Sequence, residues 1–252
     1  VTEGADSGPR LVWREAEVLA VVAETASARS ITLRVPDWPG HAAGQHVDVR
    51  LTADDGYQAQ RSYSIASPPE QADIVLTVER VEDGEVSSYL TEETRPGDRL
   101  ELRGPIGGYF TWTGTLPGPL QLVGGGSGIV PLMAMLRHRA NERTRPAARL
   151  LSSWRTRDAI IYRDELERLA SDDPQLAVVH TLTRESPPGW SGPRGRIDAD
   201  MLRAFAYAPE QQPRLYVCGP TPFVEAVADA LVQLGHAPEC IKTERFGPTG
   251  DR

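Results

Sequence analysis

The sequence predicts a two-domain fold: an N-terminal six-stranded antiparallel β-barrel, then a C-terminal α/β domain built on a parallel sheet. Three observations predict it. The first half is cut by turns into short runs that alternate apolar and polar residues, as half-buried strands do. From Pro117 short apolar strands alternate with helical stretches, the pattern of a parallel sheet covered on both faces. The length, 252 residues, allows two ordinary domains but not three. The linker Thr115-Leu116-Pro117-Gly118-Pro119 places the division between domains 1–116 and 117–252.

Each element follows in order. Val12 to Ala23 is mixed apolar and charged, while Ser30 to Val35 and Gln45 to Leu51 alternate cleanly. Pro36 to Gly40 punctuates the chain, and Asp54-Asp55-Gly56 marks a hairpin turn. Arg61 to Ser67 and Asp73 to Val81 supply two further strands. A short helix is expected near Ser87 to Glu93, and Arg99 to Arg103 closes the series. The second half reads as strand Leu120–Val123, helix Pro131–Asn141, strand Ala148–Ser153, helix Tyr162–Ser171 and strand Leu176–Leu182. Helix Ala199–Phe205, strand Arg214–Cys218, helix Pro222–Leu234 and strand Cys240–Glu244 complete it.

Composition excludes several classes. No stretch approaches the roughly 18 to 20 apolar residues of a membrane helix, and the acidic N-terminus has no apolar core of a signal peptide. A cytoplasmic protein without a membrane partner is therefore expected. A net charge of −8 argues against general nucleic-acid binding. Two cysteines, Cys218 and Cys240, cannot form a metal framework or a four-cysteine iron–sulfur centre, so no metal site is expected. The arginines at 137, 139, 143, 145 and 149 read as a solvated face, or else as a docking patch for an acidic partner.

Five stretches carry chemistry. In Arg61-Ser62-Tyr63-Ser64, alternation sets Arg61 and Tyr63 on one face and the two serines on the other. A cation, an aromatic and small hydroxyls suit a flat ring with a phosphate tail. Gly84-Glu85-Val86-Ser87 precedes the short helix and suggests a helix start with Ser87 as N-cap. Gly124-Gly125-Gly126-Ser127-Gly128 joins a strand to a helix, the setting of a phosphate loop or of a tight turn. It lacks the Gly-x-Gly-x-x-Gly spacing of the common dinucleotide fingerprint. Ser153 and Arg155 follow the next strand with no acid before Asp158, which favours NADP(H) over NAD(H); Arg155 and Arg157 as plain surface residues is the alternative. Cys218-Gly219-Pro220 ends a strand at the ligand-binding edge of such a sheet, without the His that a nucleophilic thiol requires.

Taken in order, these motifs resemble the ferredoxin–NADP reductase superfamily, closest to the flavoprotein reductase components of bacterial oxygenases. The matching residues are Arg61 to Ser64, Gly84 to Ser87, Gly125 to Pro131, Cys218 to Pro220 and Glu244-Arg245-Phe246, spread over roughly 12–247. The resemblance implies an FAD-binding barrel. Tyr63 would lie against the flavin, Ser64 near its N5, Arg61 and Ser87 on the pyrophosphate, and Val78, Glu79 and Arg80 along the ribityl and phosphate. Gly126, Ser127 and Gly128 would hold the coenzyme pyrophosphate, with Cys218 near the nicotinamide C4. Thr183, Arg184 and Arg163 would make further coenzyme contacts, and Phe246 would lie near the flavin. The implied activity is hydride transfer from NADPH to FAD, then single electrons to a separate ferredoxin or oxygenase component. A flavin or small-molecule reductase without a protein partner, and a non-catalytic nucleotide-binding module, are the alternatives. The chain departs from many relatives in lacking a fused iron–sulfur domain's cysteines and in continuing past Phe246.

Overall fold

The computed structural model describes residues 11–115, 117–185 and 187–247. The expected domain division at 116/117 touches Leu116, and the N-terminal decapeptide and the tail beyond Gly247 also lie outside the described residues.

The first half forms β1 (Trp13–Ala23), β2 (Ala28–Arg34), β3 (His46–Thr52), β4 (Gln58–Ser64), β5 (Ile74–Glu79) and β6 (Arg99–Ile106). They make one antiparallel sheet in the order β4-β3-β6-β1-β2-β5. The sheet curls until its edges meet. Ile65 bridges Leu76 just past β4, and the Ala66 N–H donates to the Val75 carbonyl at 2.7 Å. Alternating residues such as Val47, Val49, Ile31, Leu33, Leu76 and Val78 fill the interior, as a period of two requires. Helix α1 (Glu85–Ser88) runs into a wider turn at Tyr89–Glu93 and plugs the barrel with Val86 and Leu90.

The helix start differs from the sequence reading. Gly84, not Ser87, occupies the N-cap position, and Ser87 lies buried inside the helix. Its hydroxyl accepts from the Val81 N–H at 3.1 Å and donates to the Gly84 carbonyl at 3.1 Å, so it ties the turn together from within.

The second half alternates β7 (Leu120–Gly125), α2 (Ile129–Asn141), β8 (Ala148–Trp154), α3 (Arg163–Asp172), β9 (Leu176–Leu182), α4 (Ala199–Phe205), β10 (Arg214–Pro220), α5 (Thr221–Gln233) and β11 (Ile241–Phe246). All five strands are parallel, in the order β11-β10-β7-β8-β9. The chain winds outward from β7 to β9, then crosses back to place β10 on the other side of β7. That reversal opens a crevice at the carboxyl ends of β7 and β10, where open α/β sheets take their ligands.

Ile129 to Leu136 of α2 are all buried, because the helix is wedged between the sheet and the barrel. One core therefore runs through both halves: Ala28, Ala43, Ala66, Phe110 and Trp112 pack with α2, α3 and the parallel sheet. Polar contacts seal the same seam. Arg137 donates to Glu165 at 2.9 and 2.7 Å and to the Ala66 carbonyl at 2.8 Å. The Tyr162 hydroxyl donates to Thr77 of β5. His138 sits between two carboxylates, Nδ1 at 2.5 Å from Glu70 and Nε2 at 3.5 Å from Glu142.

These contacts overturn the solvated or docking reading of the arginine-rich stretch. Arg139 is buried and held by Asp173 at 2.8 Å, and Arg149 stacks 4.2 Å over Tyr207 while donating to the Phe205 and Ala206 carbonyls. Three of the five arginines serve packing, and only Arg143 and Arg145 are exposed. No helix among the described residues is long and apolar enough to cross a membrane.

Candidate functional site

On the barrel side the site is β4. Tyr63, Arg61 and Ala59 lie opposite Val47, Val49 and Leu51 of β3, so the three share one face of the strand, partly buried at Tyr63 and Ala59 and open at Arg61. Tyr63 is partly packed on the barrel core, and burial pushes its phenol up to about 12, which keeps it neutral. Arg61 is exposed; its guanidinium donates to the neighbouring Gln60 carbonyl at 2.7 Å and makes no ion pair among the described residues. Ser62 takes the opposite face and donates to Asp48 at 2.6 Å, which in turn holds Arg103 at 2.7 Å. That fastening fixes the strand from behind.

Ser64 is different. The residue is 5% exposed, and its buried hydroxyl has no hydrogen-bond partner among the described residues. An unpaired buried hydroxyl is costly, so such an atom calls for a partner that binding would supply.

On the sheet side the glycine run does two jobs. A Cβ on Gly128 would stand 2.2 Å from the Cys218 carbonyl oxygen, so only glycine lets this turn lie against the end of β10. Gly125 and Gly219 abut one another beneath the Phe223 ring, whose edge would lie 2.9 Å from a Cβ on either. Gly126 has φ +54°, and a Cβ there would come 3.8 Å from the Glu79 carboxylate of the barrel. The tight-turn reading is served: packing demands Gly128, and Gly126 takes a left-handed conformation where the turn faces the barrel.

Between the halves lies a line of ionisable groups. Cys218 is fully buried, and its Sγ is 3.9 Å from the Glu244 carboxylate; burial pushes the thiol well above its usual range, so it stays protonated. Burial also raises Glu244, to about 7. The other Glu244 oxygen faces His46 Nδ1 at 3.8 Å, and burial lowers that imidazole. His46 is the direct cross-strand neighbour of Ser64. Ser64, His46, Glu244 and Cys218 therefore form one connected set spanning both halves. Phe246 ends β11 beside Pro220 and packs against the shared core.

A second cluster stands at the far ends of β8 and β9. Ser153 is half-buried, and Arg155 and Arg184 are exposed; the Arg184 N–H donates to the Arg155 carbonyl at 3.0 Å. Thr183 donates its hydroxyl to the Trp154 carbonyl at 3.0 Å, which clamps the two strand ends. Arg163 is not part of this pair. It faces Asp164 at 3.1 Å and Asp158 at 4.0 Å, in a cleft shared with Glu24 of the barrel. Arg80 likewise turns to Glu92, at 2.5 Å.

Comparison with known proteins now bears on this arrangement. Residues 19–111 match the Oxidoreductase FAD-binding domain family and residues 122–229 the Oxidoreductase NAD-binding domain family. The chain is 38% identical over 212 residues to Ferredoxin--NADP reductase B of Sorangium cellulosum, covering 81% of this chain and 84% of that protein. The chain belongs to the ferredoxin–NADP reductase family. It is also similar to the ferredoxin reductase component of 3-ketosteroid-9-alpha-monooxygenase from Rhodococcus rhodochrous, at 34% identity over 91% of this chain and 64% of the relative. NADH-cytochrome b5 reductase 1 of Lodderomyces elongisporus is 32% identical over 76% of this chain and 64% of its own length. The chain thus spans about two thirds of the length of these last two relatives.

For a reductase of this family the barrel residues fit a flavin. The Ser64 hydroxyl and the Arg61 cation, both without a side-chain partner among the described residues, follow along a single strand with the neutral Tyr63 ring between them. Ser87 fits less simply, since its hydroxyl is already committed to the turn. Sequence reading missed His46, Glu244 as a titrating group, and Phe223. None carries a local signal, because each is brought to the site by a partner distant along the chain.

Proposed function

We propose that this reductase accepts hydride from NADPH onto FAD held in the barrel, and passes electrons singly to a separate ferredoxin or oxygenase component. The division of labour falls at 116/117, with 1–116 holding FAD and 117–252 holding the coenzyme. The observation that carries the reading is the buried, unpaired Ser64 hydroxyl, set at one end of the line that reaches Cys218 across the crevice.

When bound, the flavin supplies hydride acceptance and one-electron release. The chain's own residues supply position and protons. Ser64 would offer its hydroxyl to the flavin, and Tyr63 and Arg61 would hold its ring and its diphosphate. Gly126, Ser127, Gly128, Gly219 and Pro220 form the coenzyme's cradle at the switch point. Cys218, held as a thiol, keeps the nicotinamide side dry and uncharged. Glu244, with a proton affinity near neutrality, holds or releases a proton beside it, and His46 connects it toward solvent.

NADPH is preferred because Arg155 and Arg184 are exposed and stand without ion-pair partners among the described residues. A 2′-phosphate dianion suits such a pair, and a ribose hydroxyl does not require it. These 252 residues hold two cysteines, one buried and one exposed, too few for the ligands of an iron–sulfur acceptor.

The test is a visible spectrum of the FAD-loaded protein followed by NADPH and then NADH. Rapid bleaching by NADPH, with Arg155→Ala lowering the NADPH over NADH preference about tenfold, is expected. A spectrum unmoved by either nucleotide would end the reading. Turnover with a ferredoxin far above that with free flavin or ferricyanide is expected for a protein-partnered reductase; the reverse would favour a small-molecule reductase.

A further inference from the structure

One exposed aromatic of the barrel has no part in the site so far. Tyr57 closes the hairpin between β3 and β4 and leaves 57% of its surface open. It is not loose. The Ala53 N–H donates to its carbonyl at 2.9 Å, its own N–H donates to Asp55 at 3.0 Å, and its hydroxyl donates to Glu85 of α1 at 3.0 Å. A large ring pinned at both backbone and tip yet bare on its surface is suited to hold another flat ring.

Its place along the strand gives the ring an occupant. The Ala53–Tyr57 bond extends the β3–β4 ladder by one step, so Tyr57 shares a face with Ala59, Arg61 and Tyr63. The order along that face is aromatic, cation, aromatic, with about 7 Å from Tyr63 to Arg61 and about 14 Å from Arg61 to Tyr57 at the usual rise per residue. Flavin adenine dinucleotide has the same order of ring, diphosphate and ring. Arg61 also lies close enough for its charge to act on the Tyr57 phenol, so cation and second aromatic are neighbours on the side of the barrel where Glu85 of α1 stands.

We propose that Tyr57 is the stacking platform for the adenine of FAD, and hence the residue by which the barrel distinguishes FAD from FMN. Glu85 holds the ring's tip, so the platform is fixed before the ligand arrives. Adenine is apolar on its faces and pays little desolvation, so stacking on a pre-fixed ring adds affinity without ordering a new side chain.

The inference rests on the reading that the flavin lies along β4, and the test separates the two. Full-length flavin-free protein is titrated with FAD and with FMN, following flavin fluorescence, for the wild type, Tyr57→Ala, Tyr57→Phe and Arg61→Ala. Tyr57→Ala is expected to raise the Kd for FAD about tenfold while moving that for FMN less than about twofold. Tyr57→Phe keeps the ring and is expected to retain most of the FAD affinity. Arg61→Ala is expected to weaken both flavins, since both carry phosphate. Equal or absent effects of Tyr57→Ala on the two flavins, with Arg61→Ala still weakening both, would overturn the adenine assignment alone. Unchanged affinities in Arg61→Ala would overturn the placement along β4 beneath it.

Discussion

Glu244 is a carboxylate placed where water is scarce. Its folded proton affinity sits at about 7 against an ordinary value of 4.5. The folded state therefore binds this proton more tightly than the unfolded chain does. Its contribution is fully present below pH 4.5 and is lost as pH rises through 7, a decline of up to about 3 kcal/mol. Urea titrations between pH 5 and 8 should show that slope, and Glu244→Gln should flatten it; a parallel slope in the variant would assign it elsewhere. Ser64→Ala should leave flavin content unchanged but slow flavin reduction by NADPH about tenfold in stopped-flow traces, the worth of one well-placed hydrogen bond. Ser64 was legible in the sequence because cation, aromatic and hydroxyls sit within four adjacent positions. Glu244 and His46 were not. They lie 198 positions apart, and only the docking of β11 against the barrel makes them neighbours.

At the scale of elements, the turn between β7 and α2 shows how one stretch satisfies two demands. Gly128 has an ordinary helical backbone, φ −59°, so its need for glycine is steric and not conformational. Gly128→Ala should drive a methyl into the Cys218 carbonyl and cost about 1 to 3 kcal/mol, read as a lower urea midpoint. Gly108→Ala, with open space around it, should leave the midpoint unmoved. The strands were read well because a period of two survives any tertiary context, and their ends fell within a few residues of those expected. The start of α1 was misread for a physical reason. A serine near a helix start can cap from outside or bond backward from inside, and the choice depends on Val81, which the local pattern does not reveal. The arginine-rich stretch failed similarly: a charged run looks solvated until Glu165, Asp173 and a strand-end carbonyl arrive from elsewhere.

For the molecule as a whole, the parallel sheet followed from the alternation of strands and helices, but the strand order with its switch point and the depth of the contact between halves did not. The apolar run of α2 signalled burial without naming what covers it. Arg137 is the polar centre of that contact, bonded to Glu165 and to the Ala66 carbonyl and lying 4.8 Å over the Tyr162 ring. Arg137→Ala should strip Glu165 of its partner and destabilise the protein by about 3 kcal/mol, with barrel and sheet probes ceasing to unfold together. Coincident transitions in the variant would show that apolar packing alone couples them. The shared core also bears on how such proteins are recombined. Anyone wishing to graft this coenzyme half onto a foreign barrel would have to transplant Ala28, Ala43, Ala66, Phe110 and Trp112 with it, because the join between modules is an interior, not a surface.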